Sequence, residues 1–430
     1  MKTINMKEVG EKIYYDKLDN GLEIYLYSKE KFHNNYVTFT TKFGSVNNEF
    51  VPIGEDEMIK VPNGIAHFLE HKVFVQENDP QPTEFFSESG TMCNAYTTFK
   101  NTTYLFSGAN NLIENINYLL DYVQSPYFTD ENVESEKGII TEEINMCNDR
   151  PTDILYEEIR KNAFFNNNFK ESIIGTVEDI NSINKDLLYT CYNTFYHPSN
   201  MVLVITGNFD KDKVLDTIRE NQSKKDFEPL KEIKQKQIKE SDKVVKKESI
   251  ININTDIPKV AYNIKIPFNK NIEKRKYSLY LFIIFSCLFD DTSEFDEKLK
   301  SERIITNTVY FNLLNCDTHI LVSLINETNK YKELLEEIKN NLENINVSKE
   351  DFERKKKVLI SNEIFIYDNI EIINEMIIDN ILFEGELKDN IIPLIKELDY
   401  DELNKVIKSL NLSNNTTVIL KNDNNNKKNL

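Results

Sequence analysis

Two histidines in the segment GIAHFLEHKVF, residues 64–74, have the spacing of a metal site. His67 and His71 lie four residues apart, so a helix would place them on one face, one turn from each other. Two imidazoles in this arrangement can both reach a zinc ion. Glu70 directly precedes the second histidine, where a carboxylate could take a proton from water. The segment therefore predicts a zinc site with an adjacent general base.

The order HxxEH reverses the commoner HExxH and is a signature of zinc-dependent proteases. A catalytic zinc needs a third protein ligand, and the segment ESEKGIITEEINM, residues 134–146, offers two. Glu136 and Glu143 are seven residues apart, which is two helical turns, so they share a face. Spacing alone leaves either one as the ligand and the other as the group that orients a histidine. The alternative is an ordinary helix with two histidines beside a solvated acidic helix.

Several elements must position these residues. GLEIYLYSKE, YVTFTTKFGSV and MVLVITG are typical of strands, and the Thr-, Tyr- and Phe-rich residues 93–108 indicate a strand pair. Residues 111–123 and the segment from Asp130 have helical spacing, and Pro151 limits the second of these. The apolar run at 277–289 is too short to span a bilayer and predicts a buried helix.

Composition narrows the class of protein. The chain has 430 residues, 40% of them hydrophobic, and a formal net charge of −19. It is therefore expected to fold, and to bind neither nucleic acid nor a membrane. The five scattered cysteines predict reduced thiols, and the charged N-terminal segment does not resemble a signal peptide, so we expect a cytoplasmic protein.

A short internal repeat suggests duplication. SNMVLVITGN begins at Ser199 and SNNTTVILKN at Ser413, and a Lys- and Glu-rich stretch lies between the two halves. We predict an N-terminal domain over 1–220 that bears the zinc site, a linker over 221–248, a C-terminal domain without metal over 249–422 and a disordered tail over 423–430.

GIAHFLEHKVF, NAYTTFKNTTYLFSG, EKGIITEEI and YHPSNMVLVITGNFD occur in this order and spacing in the M16 metallopeptidases, which are the pitrilysin-like inverted zincins. The chain most resembles the half-length bacterial, YmfH-like branch of that family. The resemblance implies an α+β fold of two homologous α/β roll domains, each a mainly antiparallel sheet covered by helices, as in LuxS and the mitochondrial processing peptidases (MPP).

The resemblance also assigns roles to residues. It implies a Zn²⁺ ion on His67, His71 and Glu143, with Glu70 as the base and Glu136 as a supporting catalytic residue. The remaining matched positions, on the edge strand that binds the substrate backbone, are Asn94 and Ala95.

The same family implies a zinc endopeptidase that hydrolyses unfolded oligopeptides or leader and precursor peptides inside a closed chamber. The chamber would be formed by a homodimer, or by a heterodimer with a related chain. One departure stands against full activity, because Lys300 and Asn307 align with the places where active members often carry an Arg and a Tyr that help hold the substrate carbonyl. Arg303 or Tyr310 could substitute. The alternative function is a non-catalytic or weakly active peptide-binding subunit of a heterodimer.

Overall fold

The structure is a computed structural model that describes residues 1–227 and 232–422. The predicted tail, 423–430, lies outside the described residues, as does the part of the predicted linker over 228–231.

The strands within the described residues form two main sheets and one short hairpin. In chain order they are β1 (Lys2–Met6), β2 (Glu11–Lys17), β3 (Glu23–Ser28), β4 (Asn35–Thr41), β5 (Glu49–Phe50), β6 (Ile59–Lys60), β7 (Met92–Thr97), β8 (Thr102–Gly108), β9 (Met201–Gly207), β10 (Glu248–Asn252), β11 (Lys259–Pro267), β12 (Tyr310–Asn315), β13 (His319–Glu327) and β14 (Asn415–Lys421).

The helices cover the faces of these sheets. In chain order they are α1 (Ile65–Val73), α2 (Pro82–Glu88), α3 (Leu112–Val123), α4 (Asp130–Asp149), α5 (Pro151–Ala163), α6 (Val177–Ser182), α7 (Lys185–Phe195), α8 (Lys211–Ser223), α9 (Lys274–Phe289), α10 (Glu294–Ser301), α11 (Tyr331–Glu343), α12 (Lys349–Ile366), α13 (Ile370–Glu384), α14 (Ile392–Lys396) and α15 (Tyr400–Ser409).

The first sheet has seven strands in the order β1-β2-β3-β9-β4-β8-β7. Its pairs are antiparallel except for β3 with β9, which run parallel. The second sheet has the order β10-β14-β11-β13-β12, again with one parallel pair, β10 with β14. The predicted mainly antiparallel sheets covered by helices are therefore confirmed.

The two sheets repeat one topology. Five strands of the first, β3-β9-β4-β8-β7, match β10-β14-β11-β13-β12 of the second in order and in the direction of every pairing. The strands that follow Ser199 and Ser413, β9 and β14, occupy equivalent positions. The structure thus agrees with the duplication that the short sequence repeat suggested.

Two compact units group the residues differently from the chain order. Among the described residues, the first unit comprises those within 1–145, 172–237 and 364–390, and the second comprises those within 146–171, 238–363 and 391–422. Helix α5 from the first half packs on β14 and β11, while α13 from the second half packs on the equivalent strands β9 and β4. The predicted bounds of 1–220 and 249–422 did not anticipate this exchange of equivalent helices, because two contiguous halves were assumed.

The central strands of the first sheet are buried on both faces. Ile24 and Leu26 of β3 join the core beneath α1, α3 and α7, whereas Tyr25 and Tyr27 join the core beneath α13. Alternate residues of a strand point to opposite faces, so a strand covered on both sides has a continuous apolar run. Its edge strand β7 pairs on one side only, with β8.

The described part of the predicted linker is held by hydrogen bonds. The backbone amide of Lys236 donates to Glu49 in the first unit. In the second unit, the carboxylate of Glu240 accepts from the amides of residues 165–167 and pairs with the buried Lys265 at 2.6 Å. At least one charged residue of the predicted linker, Glu240, therefore forms a buried ion pair.

The predicted buried helix at 277–289 is α9, and ten of its side chains are buried. None of the helices within the described residues combines the length and the apolar character needed to cross a bilayer.

Candidate metal centre

Helix α1 is set in place by a close backbone crossing at its first turn. Gly64, at the N-cap, has φ +80°, and a Cβ there would lie 2.4 Å from the carbonyl oxygen of Ile174. Only glycine accepts this conformation and approach without strain. Ile65, Leu69 and Val73 recur every four residues along α1, and all three side chains are buried in the first core.

The structure brings His67, His71 and Glu143 together. Glu143 Oε2 lies 3.7 Å from His67 Nε2 and 3.5 Å from His71 Nε2. One ligand atom from each of the three lies within 4.8 Å of the others. No second group of this kind occurs among the residues that the structure describes.

These positions fit a zinc ion. Ligands at 2.0–2.1 Å in a tetrahedron are separated from one another by about 3.4 Å, close to the two distances above. Two imidazoles and a carboxylate are also a ligand set that catalytic zinc uses. Burial and the neighbouring His71 lower the pKa of His67 to about 3, which keeps this imidazole in the neutral form that a metal requires.

Glu136 and Glu143, which spacing left as equal candidates for the third ligand, have different positions in the structure. Glu143 faces the Nε2 atoms, whereas Glu136 Oε1 lies 3.1 Å from His71 Nδ1 on the other side of the ring. Because a carboxylate only accepts, Nδ1 carries the proton and Nε2 presents its lone pair to the metal position. This geometry favours Glu143 as ligand and Glu136 as the group that orients His71.

Opposing effects determine the pKa values of Glu136 and His71. Burial disfavours charge on Glu136, but the hydrogen bond and charge of His71, with Lys72, hold the pKa of its carboxyl below the usual range. Burial likewise opposes charge on His71, and the adjoining carboxylates, Glu136 first, outweigh it and raise its pKa. A metal ion would therefore compete with a proton at His71.

Glu70 lies outside the ligand group and is held by a threonine of the edge strand. Thr97 Oγ1 donates to Glu70 Oε2 at 2.6 Å. Burial raises the pKa of the Glu70 carboxyl, and the Thr97 hydrogen bond opposes that shift. A carboxylate fixed in this way, one residue from a ligand, is well placed to exchange a proton with water.

Asn94 and Ala95 lie on that edge strand, β7. The amide of Ala95 donates to Asn94 Oδ1 at 2.9 Å, and Ala95 packs against the first core. The next residue, Tyr96, points to α13 and donates to the carboxylate of Glu375 at 2.8 Å. Side chains of the edge strand therefore make contacts on both faces of the sheet, Ala95 on one and Tyr96 on the other.

Two residues that contact the site were not predicted from the sequence. Thr97 lies two positions after Ala95, so strand alternation would have placed it on the same face, towards α1. Lys72, beside His71, is 1% exposed and lies 3.6 Å from Glu136. No sequence signal marks it, because a lysine in a helix is ordinarily solvated.

Two histidines outside the metal centre have local partners. His197 accepts from the Ser199 amide at a short helical turn, and His319 contacts Asp242. Burial raises the pKa of the Cys93 thiol, which disfavours a nucleophilic thiolate.

In the second unit, Lys300 pairs with Asp296 at 2.7 Å, and the carbonyl of Asn307 accepts from the side chain of Asn326. Arg303 has a positive φ of 56°, and Tyr310, which begins β12, is exposed.

Comparison with known proteins identifies the family. The profile "Insulinase (Peptidase family M16)" matches residues 52–177, and "Peptidase M16 inactive domain" matches residues 182–359. A Bacillus subtilis (strain 168) protein named uncharacterized zinc protease YmfH is 40% identical over 364 residues, which cover 83% of this chain and 85% of that protein. The chain belongs to peptidase family M16.

Solved structures agree with this M16 assignment. A crystal structure of an M16-like peptidase from Alicyclobacillus acidocaldarius has a TM-score of 0.89 at 30% identity and covers 95% of this chain and 97% of that one. A protease from Helicobacter pylori has a TM-score of 0.82 at 19% identity, over 96% and 99% of the two chains, which supports the fold alone. The resemblance to a half-length M16 branch is thus confirmed.

Replacing Thr97 with valine is expected to slow peptide hydrolysis about tenfold or more while zinc content stays unchanged. Valine keeps the shape of the side chain but removes the hydroxyl that donates to Glu70, and hydrogen bonds to charged groups contribute about 1.5–3 kcal/mol. The measurement is kcat on a quenched fluorescent peptide. Thr103→Val is the control, because that hydroxyl contacts Thr40. Equal losses in the two variants would contradict a specific role for Thr97.

Proposed function

We propose that this M16 chain is a zinc-dependent endopeptidase that hydrolyses unfolded oligopeptides or leader and precursor peptides. The observation that supports it most strongly is the convergence of His67, His71 and Glu143 around one position, with Glu70 beside them. The name of the Bacillus subtilis relative, a zinc protease, supports the choice of metal.

The ligands His67, His71 and Glu143 would hold the zinc, and Glu136 would keep His71 in its binding tautomer. Bound there, zinc would supply Lewis acidity, which acidifies water and polarises a peptide carbonyl. Glu70 would accept the proton of the attacking water and donate it to the amine that leaves. Thr97 would aim the Glu70 carboxylate during both transfers.

The edge strand β7 would bind the substrate. Its outer side has no strand partner within the described residues. An extended peptide can add to such an edge through main-chain hydrogen bonds, with Asn94 and Ala95 at the contact. Main-chain recognition makes little demand on sequence, which suits a peptidase that acts on varied unfolded peptides.

Partners follow from the family resemblance. We propose that two such chains, either identical or related, enclose the chamber in which peptides are cut, and that the protein works in the cytoplasm. A chamber of this kind would admit unfolded peptides and exclude folded proteins.

A second candidate is a non-catalytic or weakly active subunit of an M16 heterodimer. Lys300 and Asn307, at the places of the usual Arg and Tyr, favour it. Losing one donor that stabilises the transition-state oxyanion typically costs about 10²–10³ in rate. In that case a related chain would supply the missing groups.

One experiment tests the proposal and separates the two candidates. The purified chain is incubated with a quenched fluorescent peptide library, with and without o-phenanthroline, first alone and then with a related M16 chain from the same genome. Chelator-sensitive cleavage by the chain alone supports the peptidase. Cleavage that appears only with the second chain, and persists when this chain carries Glu70→Gln, supports the subunit. Bound zinc with no cleavage in any mixture contradicts the peptidase.

Replacing His71 with alanine is expected to release the zinc. The substitution removes one of the three ligands and leaves Glu136 without its imidazole partner. Zinc affinity should therefore fall by more than it would if only the hydrogen bond from Glu136 were lost. Elemental analysis after dialysis measures zinc per chain. His197→Ala is the control, because that imidazole contacts Ser199 instead. Unchanged zinc in the His71 variant would refute the ligand set.

A further inference from the structure

Lys72 is a buried cation within the metal centre. It follows the ligand His71 on α1, and its side chain is 1% exposed. Its Nζ donates to the backbone carbonyl of Asn132 at 3.0 Å and lies 3.6 Å from Glu136 Oε2. Asn132 and Glu136 are one turn apart on α4, so a single ammonium group contacts two successive turns of the helix that also bears Glu143.

The two oxygens of Glu136 have separate partners. Oε1 faces His71 Nδ1 at 3.1 Å, while Oε2 faces Lys72 Nζ. The carboxylate is thus held between a ligand imidazole and an ammonium group, and both come from α1. Rotation of the carboxylate away from His71 would also separate it from Lys72.

We propose that Lys72 is a positioning residue of the zinc site: it holds the Glu136 carboxylate in the orientation that fixes the Nδ1–H tautomer of His71 and leaves Nε2 free for the metal. This inference rests on the proposed zinc site and adds to it a residue outside the HxxEH signature.

Burial makes the ammonium group of Lys72 depend on its partners. A buried ammonium group is costly unless it is paired, and the pairing here is with a carboxylate and a carbonyl of one helix. If Lys72 is replaced by an apolar side chain, the Glu136 carboxylate loses a cation on one side and gains nothing in return. It would then turn towards water, and His71 Nδ1 would lose its acceptor. Supporting partners of this kind typically contribute about 10–100-fold in metal affinity.

A series of variants in the full-length chain tests this. Lys72→Met removes the charge at similar volume, Lys72→Gln keeps a donor without the charge, and Lys72→Arg keeps the charge. Glu136→Gln alone and combined with Lys72→Met completes a double-mutant cycle. Lys355→Met is the matched control, because Lys355 is also a buried lysine paired with a carboxylate, that of Asp290 in the second unit. Zinc affinity is measured by competition with a chelating dye.

We expect Lys72→Met and Lys72→Gln to weaken zinc binding about 10–100-fold and Lys72→Arg to restore most of it. The Lys72→Met/Glu136→Gln double variant should bind zinc as Glu136→Gln alone does, because Lys72 acts through Glu136. In the metal-free chain, at a pH at which His71 is neutral, ¹⁵N shifts of its ring should show loss of the Nδ1–H tautomer in Lys72→Met. Lys355→Met should leave zinc affinity unchanged whatever it does to stability.

Wild-type zinc affinity in the Lys72→Gln variant would overturn the inference, even if Lys72→Met does not fold. Losses that multiply in the double variant, or equal losses in Lys355→Met, would assign Lys72 a general structural role instead. If the wild-type chain binds no zinc, the proposed function itself fails, and the two failures are therefore distinguishable.

Discussion

Replacing Glu70 with glutamine is expected to abolish peptide hydrolysis while the chain keeps its zinc. Glu70 stands outside the ligand group of His67, His71 and Glu143. Glutamine can still accept the Thr97 hydrogen bond through its carbonyl oxygen, so the local structure should persist. It has no basic oxygen, however, and cannot take a proton from water. Removal of a general base costs about 10²–10⁴-fold in rate.

The measurement pairs kcat on a fluorescent peptide with zinc content in the same preparation. Glu142→Gln is the matched control, because Glu142 is an exposed carboxylate that directly precedes the ligand Glu143 on α4. That variant should keep both zinc and turnover. Full activity in Glu70→Gln would remove Glu70 as the base, whereas loss of zinc would make it a ligand.

The sequence predicted the parts of the site that local spacing controls. His67, Glu70 and His71 follow from one helical turn, and the helix from Asp130 was predicted with both candidate glutamates on one face. Spacing could not separate Glu136 from Glu143, because the choice depends on which side of the His71 ring each carboxylate reaches. The side that each carboxylate reaches depends on how α4 crosses α1, and the spacing of residues within one helix does not predict that crossing.

The burial of Lys72 and the packing of α13 on the first sheet were not predicted, for the same reason. The buried Lys72 contacts α4 through the carbonyl of Asn132, and nothing in the HxxEH segment signals that contact. The helix α13 was assigned to the C-terminal domain because it lies there in the chain. Its packing on the first sheet is a long-range contact between residues more than 150 positions apart, such as Asn374 and Val204.

The first 227 residues alone are expected not to form a stable zinc-binding domain, although they contain every proposed ligand. In the full chain, one face of the first sheet is covered by α13, which buries Ile373, Ile377, Ile378 and Ile381 there. At about 1.5–3 kcal/mol for each buried side chain, these four contribute roughly 6–12 kcal/mol as an upper estimate. That is comparable to the whole stability of a typical domain, about 5–15 kcal/mol.

Circular dichroism, thermal unfolding and zinc content of the fragment and the full chain test this expectation. The fragment also lacks the second sheet, on which α5 packs, so the fragment alone does not isolate the effect of α13. Two point variants in the full chain do isolate it. Ile377→Asp places a charge in the covered core, where Ile377 is fully buried, and should unfold the first unit and release zinc. Ile372→Asp changes a side chain on the same helix that is 48% exposed, and it should leave both properties unchanged.

The helix exchange is the reason to expect that the half with the ligands needs the other half. Asn374 of α13 is buried and donates to the backbone carbonyls of Tyr36 and Val204, while Thr38 donates to its side-chain oxygen. Loss of α13 would leave these strand groups without those bonds as well as exposing the apolar face. A folded fragment that binds zinc as the full chain does would show that β4 and β9 do not need this cover. An Ile377→Asp variant with wild-type stability would show the same by an independent route.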